Sequence, residues 1–153
     1  MIVALSIPCM ARERSRWHPV CAGRRAGRHR VSLVARNLVI KVTAGKDEPE
    51  RCNQAFTVAA TAVASGVTVS LWLTGEAAWF ALPGRADDLA LPHAAPLADL
   101  LTSVLALGTV TVCTQCAARR DITPADVIAG VRIAGAATFV AEVVAEEAQA
   151  LVY

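Results

Sequence analysis

Leu38-Val39-Ile40-Lys41-Val42-Thr43 is a short, β-branched and almost continuously apolar run. Such a run suits a parallel strand buried on both faces, because the crossover helices of a parallel sheet cover its two sides. The residues that follow support that reading. Ala44-Gly45-Lys46 turns the chain, and Asp47 and Glu48 precede Pro49. Proline is tolerated in the first helical turn, where its missing N–H would have no partner, and acids there complement the helix dipole. A helix is predicted from Pro49 to about Ser65, with Cys52, Phe56, Ala59 and Val63 on one face and Gly66 as a left-handed cap.

The alternation continues downstream. Val67-Thr68-Val69-Ser70-Leu71-Trp72-Leu73 reads as a second strand, and Thr74-Gly75-Glu76 turns into a short helix bearing Trp79 and Phe80, read as core or subunit-interface residues ahead of a ligand cage. Residues 81–96 are broken by Pro83, Gly84, Pro92, His93 and Pro96 and are predicted to be loop. A helix from Pro96 carries the stripe Leu97, Leu100, Leu101, Val104 and Leu105, with Gly108 at its end. Thr109-Val110-Thr111-Val112 is a third strand, ending at Cys113. Thr123-Pro124-Ala125-Asp126 has a capping-type pattern and is predicted to open a short helix to Gly130. Val131-Arg132-Ile133 is a weak fourth strand. A helix is expected from Ala137 to about Ala148, with Phe139, Val140, Val143 and Val144 inward and Glu142, Glu146 and Glu147 outward, before the closing strand Leu151-Val152-Tyr153. Together these elements predict a three-layer α/β sandwich with a mostly parallel five-stranded sheet.

Composition bounds the reading. The 153 residues suit one ordinary domain, and 55% apolar with 18% charged residues excludes an intrinsically disordered chain. The net charge of +2 is unevenly spread. Residues 1–33 hold seven arginines and one acid, whereas residues 34–153 hold 8 Lys/Arg against 12 Asp/Glu. The arm has only Trp17 as an aromatic, so it offers no stacking platform, and a nucleic-acid role is not expected. Its apolar run precedes its arginines, the reverse of a secretory signal. It has no periodicity that would bury it. The expectation is either that native translation starts at Val34 or that residues 1–33 form a disordered basic arm before a domain at 34–153.

No charge occurs between Arg51 and Glu76, and these 24 residues are long enough to span a bilayer. Gln54, Thr57, Thr61, Ser65, Thr68 and Ser70 interrupt them, and they divide at Gly66 into a helix and a strand. A buried helix–strand pair is therefore expected, with no membrane association.

Five cysteines are present, and Cys9 and Cys21 lie in the arm. The odd set Cys52, Cys113 and Cys116 suggests free thiols in a reducing cytoplasm. Cys113-Thr114-Gln115-Cys116 is the strongest chemical signal. Cys113 closes a buried parallel strand, and chemistry in open α/β sheets collects at that carboxyl edge. If a helix follows, its N–H groups face the sulfur and favour the thiolate, with Arg119 and Arg120 adding positive charge. Four readings stand beside one another: a persulfide-bearing sulfur carrier, a dithiol redox couple, half of a zinc site completed by Cys52 and His93, and two ordinary core cysteines.

Cys52, in the first turn of the first helix, is either a second thiol near Cys113 or a packed thiol on the helix's inner face. His93, in its Pro-rich loop, is either a solvated side chain or a proton-transfer group roofing the same edge. Glu76 is a helix-start acid, with a polar site role second. No Gly-rich phosphate loop, Gly-x-Ser-x-Gly elbow or paired-carboxylate spacing occurs. Neither a cofactor nor a metal is expected.

The segments Leu38 to Thr43, Val69 to Glu76, Val112 to Ile122, and Ala134 to Ala137 running on to Leu151-Val152-Tyr153 resemble the DsrE/DsrF-like (YchN-like) family over essentially the whole acidic domain. The resemblance implies that Cys113 matches the strand-end cysteine that carries sulfur as a persulfide in the family's relay members. Cys116 has no counterpart in the simplest relay subunits and keeps a redox role open. The resemblance also implies a homo-oligomer, trimeric or hexameric, and a sulfur-carrier protein as partner. A non-catalytic oligomeric subunit with unreactive thiols is the alternative.

Overall fold

The structure, a computed structural model, describes residues 37–153. The expectations for residues 1–33 lie outside the described residues. Five strands form one all-parallel sheet: β1 (Asn37–Val42), β2 (Val69–Leu73), β3 (Thr109–Cys113), β4 (Val131–Ala134) and β5 (Ala148–Val152). Their order is β4-β3-β2-β1-β5. The chain steps outward from β1 to β4, then returns across the sheet to place β5 on the far side of β1.

Side chains alternate along a strand, so each strand serves two faces. One set, including Ile40, Val42, Leu71, Leu73, Val110 and Val112, is buried in the main core. The helices α1 (Pro49–Ala64) and α2 (Leu97–Leu107) pack against each other over that core. Cys52, Phe56, Ala59 and Val63 of α1 enter it as their spacing predicts, and Gly66 has the left-handed φ of +80°. The 24 uncharged residues divide into α1 and β2 as expected, and among the described residues no helix is long and apolar enough to cross a membrane.

Among the described residues, α4 (Ala136–Val143) covers the other face. Phe139 meets Trp72 edge-on at 5.2 Å between ring centres, and the Lys41 ammonium stands 5.3 Å from the Phe139 ring centre. Glu142 faces the sheet and accepts hydrogen bonds from Ser70 Oγ and Trp72 Nε1, both 2.7 Å, and from Arg132. This corrects the expected phase of the helix: Glu142 is inward, whereas Val140 and Val144 are exposed. Polar groups on this sheet face need a partner, so the inward stripe is Phe139, Glu142 and Val143. The helix also ends earlier than predicted, because Ala148 already pairs with β1 opposite Asn37.

Two further differences concern local signals. Residues 123–130 form turns and no helix. The capping pattern is made, with Asp126 Oδ2 accepting from the Thr123 N–H (2.8 Å) and hydroxyl (2.6 Å). It does not propagate, because the Ile128 N–H donates to the Ala81 carbonyl at 2.8 Å instead of to its own segment. The predicted loop 81–96 contains a 3-10 turn at Arg85–Asp88.

Candidate functional site

The site is built at the carboxyl ends of β1, β2 and β3. Cys113 is the last residue of β3 and immediately precedes the helix α3 (Thr114–Ala118). It follows Thr111 in the strand's alternation. Thr111 accepts a hydrogen bond from Arg132 Nε at 2.7 Å on the α4 side of the sheet. The Cys113 thiol is half-buried.

Burial pushes its pKa up, but other influences outweigh this and the net shift is downward. These are the N–H groups of Cys116 and Gln115, the Cys116 side chain and the charge of Lys41. The N–H groups point toward the sulfur without forming a full capping hydrogen bond, so they act as dipoles on the charged thiolate. Since α3 has only five residues, these individual N–H groups matter more than any macrodipole.

Cys116 is buried at 8% exposure, and its sulfur accepts a hydrogen bond from the Gly75 N–H at 3.2 Å. That turn is held in place by β1: Thr74 donates its hydroxyl and its N–H to the Val42 carbonyl, and Glu76 N–H donates to Thr43 O. Gly75 has φ +51°, and a Cβ there would meet the Thr43 carbonyl at 2.7 Å. Only glycine fits this backbone, which presents an N–H to Cys116.

The other predicted residues separate. Arg120 is held by other partners: its Nη2 pairs with Glu76 Oε1 at 2.6 Å, its Nη1 donates to the Cys116 carbonyl at 3.3 Å, and its guanidinium lies over Trp79. Glu76 is therefore the partner of Arg120. Arg119 is exposed. Cys52 is fully buried among core side chains, where burial and the Asp47 carboxylate push its thiol up to about 12. His93 is exposed at φ +60°, in a loop whose Ala95 carbonyl accepts from Asn53 Nδ2 on α1. Among the described residues no three His, Cys, Asp or Glu side chains come close enough to share a metal ion. Cys52 and His93 thus do not complete a zinc site with the CxxC pair.

Sequence reasoning missed Lys41. The available signal was a lone charge inside the opening apolar strand, since a lysine is costly there unless it serves a polar neighbour.

A family model described as DsrE/DsrF-like matches residues 36–151. No curated protein matches the chain. Among solved structures the chain is similar to the YchN protein from E. coli, with a TM-score of 0.63 and 17% identity over 77% of this chain and 98% of that one. At that identity the likeness speaks for the fold. The family match covers nearly all of the described residues, including both site cysteines, and this chain belongs to the DsrE/DsrF-like family.

Proposed function

We propose that this protein carries or exchanges sulfur through Cys113, with Cys116 as the resolving thiol. The observation that carries the reading is the contrast between Cys113 and Cys52. Cys113 is half-buried with its pKa held down, whereas Cys52 is sealed in the core with its pKa raised. The thiolate is the nucleophilic form.

In the first step the Cys113 thiolate attacks the outer sulfur of a donor persulfide. The donor's S–S bond breaks, the donor leaves as a thiolate, and Cys113 becomes a persulfide. In the second, the Cys116 thiolate attacks the inner sulfur of that persulfide, releasing hydrosulfide and leaving a Cys113–Cys116 disulfide. An external dithiol reduces the disulfide and restores both thiols. A sulfur-carrier protein is the acceptor class that fits the first product, and the family supports a homo-oligomer working in the cytoplasm.

Mass measurement after incubation with a sulfur donor tests the reading. A one-sulfur adduct on Cys113 in Cys116→Ser is the expected result for transfer. A disulfide in the wild type with no adduct in that variant assigns dithiol redox instead. Neither product, with Cys113 labelled no faster than a free cysteine of pKa near ~8.5, overturns both and leaves an interaction subunit with unreactive thiols.

A further inference from the structure

A cavity of about 300 Å³ is lined by Lys46, Glu76, Trp79, Phe80 and Arg85. Lys46 and Glu76 follow the carboxyl ends of β1 and β2, the edge of a parallel sheet where ligands collect. The volume lies at the lower end of the range for small-molecule sites. Its walls are mixed. Phe80 is buried behind it, Trp79 is half-buried, and the cations are long side chains that reach solvent.

The charges around the cavity are unequally matched. Lys46 is held by Asp88 at 3.0 Å, and Arg120 by Glu76 at 2.6 Å. Arg85 has only a long 3.9 Å approach to the same Asp88 oxygen that Lys46 already occupies. Three cations thus share two carboxylates. Two of them crowd one ring: the guanidinium carbons of Arg85 and Arg120 stand 5.8 and 5.6 Å from the Trp79 ring centre. Each is attracted to the indole. Arg120 Nε is also buried without a hydrogen-bond partner among the described residues. Such orphan donors are few in folded proteins and ask for a reason.

We propose that this cavity binds a small organic carboxylate with a flat apolar body. The carboxylate sits on the Arg85 guanidinium, whose planar fork matches it with two parallel hydrogen bonds. The body lies against the Trp79 and Phe80 wall. Lys46 adds positive charge at the rim. Neither Cys113 nor Cys116 lines the cavity, so this site stands whatever the chemistry of the thiols. No covalent step is involved.

Calorimetric titration of the full chain with 1-naphthoate and with neutral 1-naphthylmethanol tests the proposal. Naphthoate is expected to bind at one site about tenfold more tightly than the alcohol, the scale of a hydrogen bond to a charged group. Arg85→Gln, a change at an exposed side chain, is expected to abolish that preference. Trp79→Ala is expected to weaken both ligands, and Arg51→Gln, on the exposed side of α1, to alter neither. Equal wild-type affinity for the two ligands, a preference that survives Arg85→Gln, or no saturable binding of naphthoate would overturn it.

Discussion

Ile40, Val42, Leu71, Leu73, Val110 and Val112 point toward α1 and α2 and are shut away from solvent. Lys41, Ser70, Trp72 and Thr111 alternate with them in the same strands and point toward α4, where Phe139, Glu142 and Arg132 meet them. Among the described residues the first face is apolar and covered by α1 and α2, whereas the second carries polar contacts and is covered by α4. The first face is therefore expected to carry most of the stability of the fold. Mutating one aromatic on each face tests that division. Phe56 is fully buried and meets Phe80 edge-on at 6.1 Å. Phe56→Ala is expected to cost about 3–5 kcal/mol of unfolding free energy. Phe139 is only half-buried, and Phe139→Ala should cost about 1–2 kcal/mol on area grounds. Urea unfolding of both variants checks this, and equal losses would contradict the assignment of stability to the α1/α2 face.

Next in size is Glu142. Burial pushes its carboxyl pKa up, but the donors Ser70, Trp72 and Arg132 outweigh that and hold it below the usual carboxylate range. Glu142→Ala removes the shared acceptor of three donors and leaves the Trp72 N–H without its partner. A loss of about 1–3 kcal/mol at pH 7 is expected. The pH dependence has a definite sign. Because the folded carboxyl has the lower pKa, the unfolded chain takes up the proton first as pH falls. The stabilisation is complete above the unfolded value near ~4.3 and is lost as pH falls through the lower folded value. Unfolding curves for wild type and Glu142→Gln should therefore converge in acid. A gap that stays constant down to the acid limit would mean the carboxylate's charge is not what holds α4.

The α1/α2 face was far more legible in the sequence than the α4 face. Cys52, Phe56, Ala59 and Val63 have helical spacing and are all buried, and the strands that carry the core are read nearly to their ends, because a dry face leaves one reading of an apolar pattern. On α4, Val140 and Val144 look like an inward stripe, yet they are exposed and Glu142 is inward. Hydrophobic periodicity cannot anticipate that the sheet would present a tryptophan N–H and a serine hydroxyl needing an acceptor. The same blindness affected the site. The position of Cys113 at a strand end followed from local pattern, whereas its electropositive neighbour did not. Arg119 and Arg120 are adjacent in sequence, but Arg120 is drawn to Glu76, and the charge that lowers the Cys113 pKa is that of Lys41, on another strand. A pairing between β1 and a residue two strands away is tertiary information.

The smallest expected effect follows from that last contrast. Lys41 and Arg119 are both cations near the CxxC segment, one lying on the sheet face that Cys113 shares and the other exposed beyond α3. Only Lys41 is among the groups that lower the Cys113 pKa. Removing its charge by Lys41→Gln makes the thiolate harder to form, so the labelling profile of Cys113 should move to higher pH. At pH 7 the rate should fall by up to roughly threefold, the scale of a partly screened charge–charge interaction. Arg119→Gln should leave the profile in place. Cys52, with its thiol pushed up to about 12, stays silent in the native state and provides an internal check that labelling reports Cys113 and not unfolding. High salt should shrink the Lys41 effect, as it does for a charge acting through partly solvated space. If Arg119→Gln slows labelling as much as Lys41→Gln, the thiol responds to diffuse surface charge, and the α4 face holds no special environment for it.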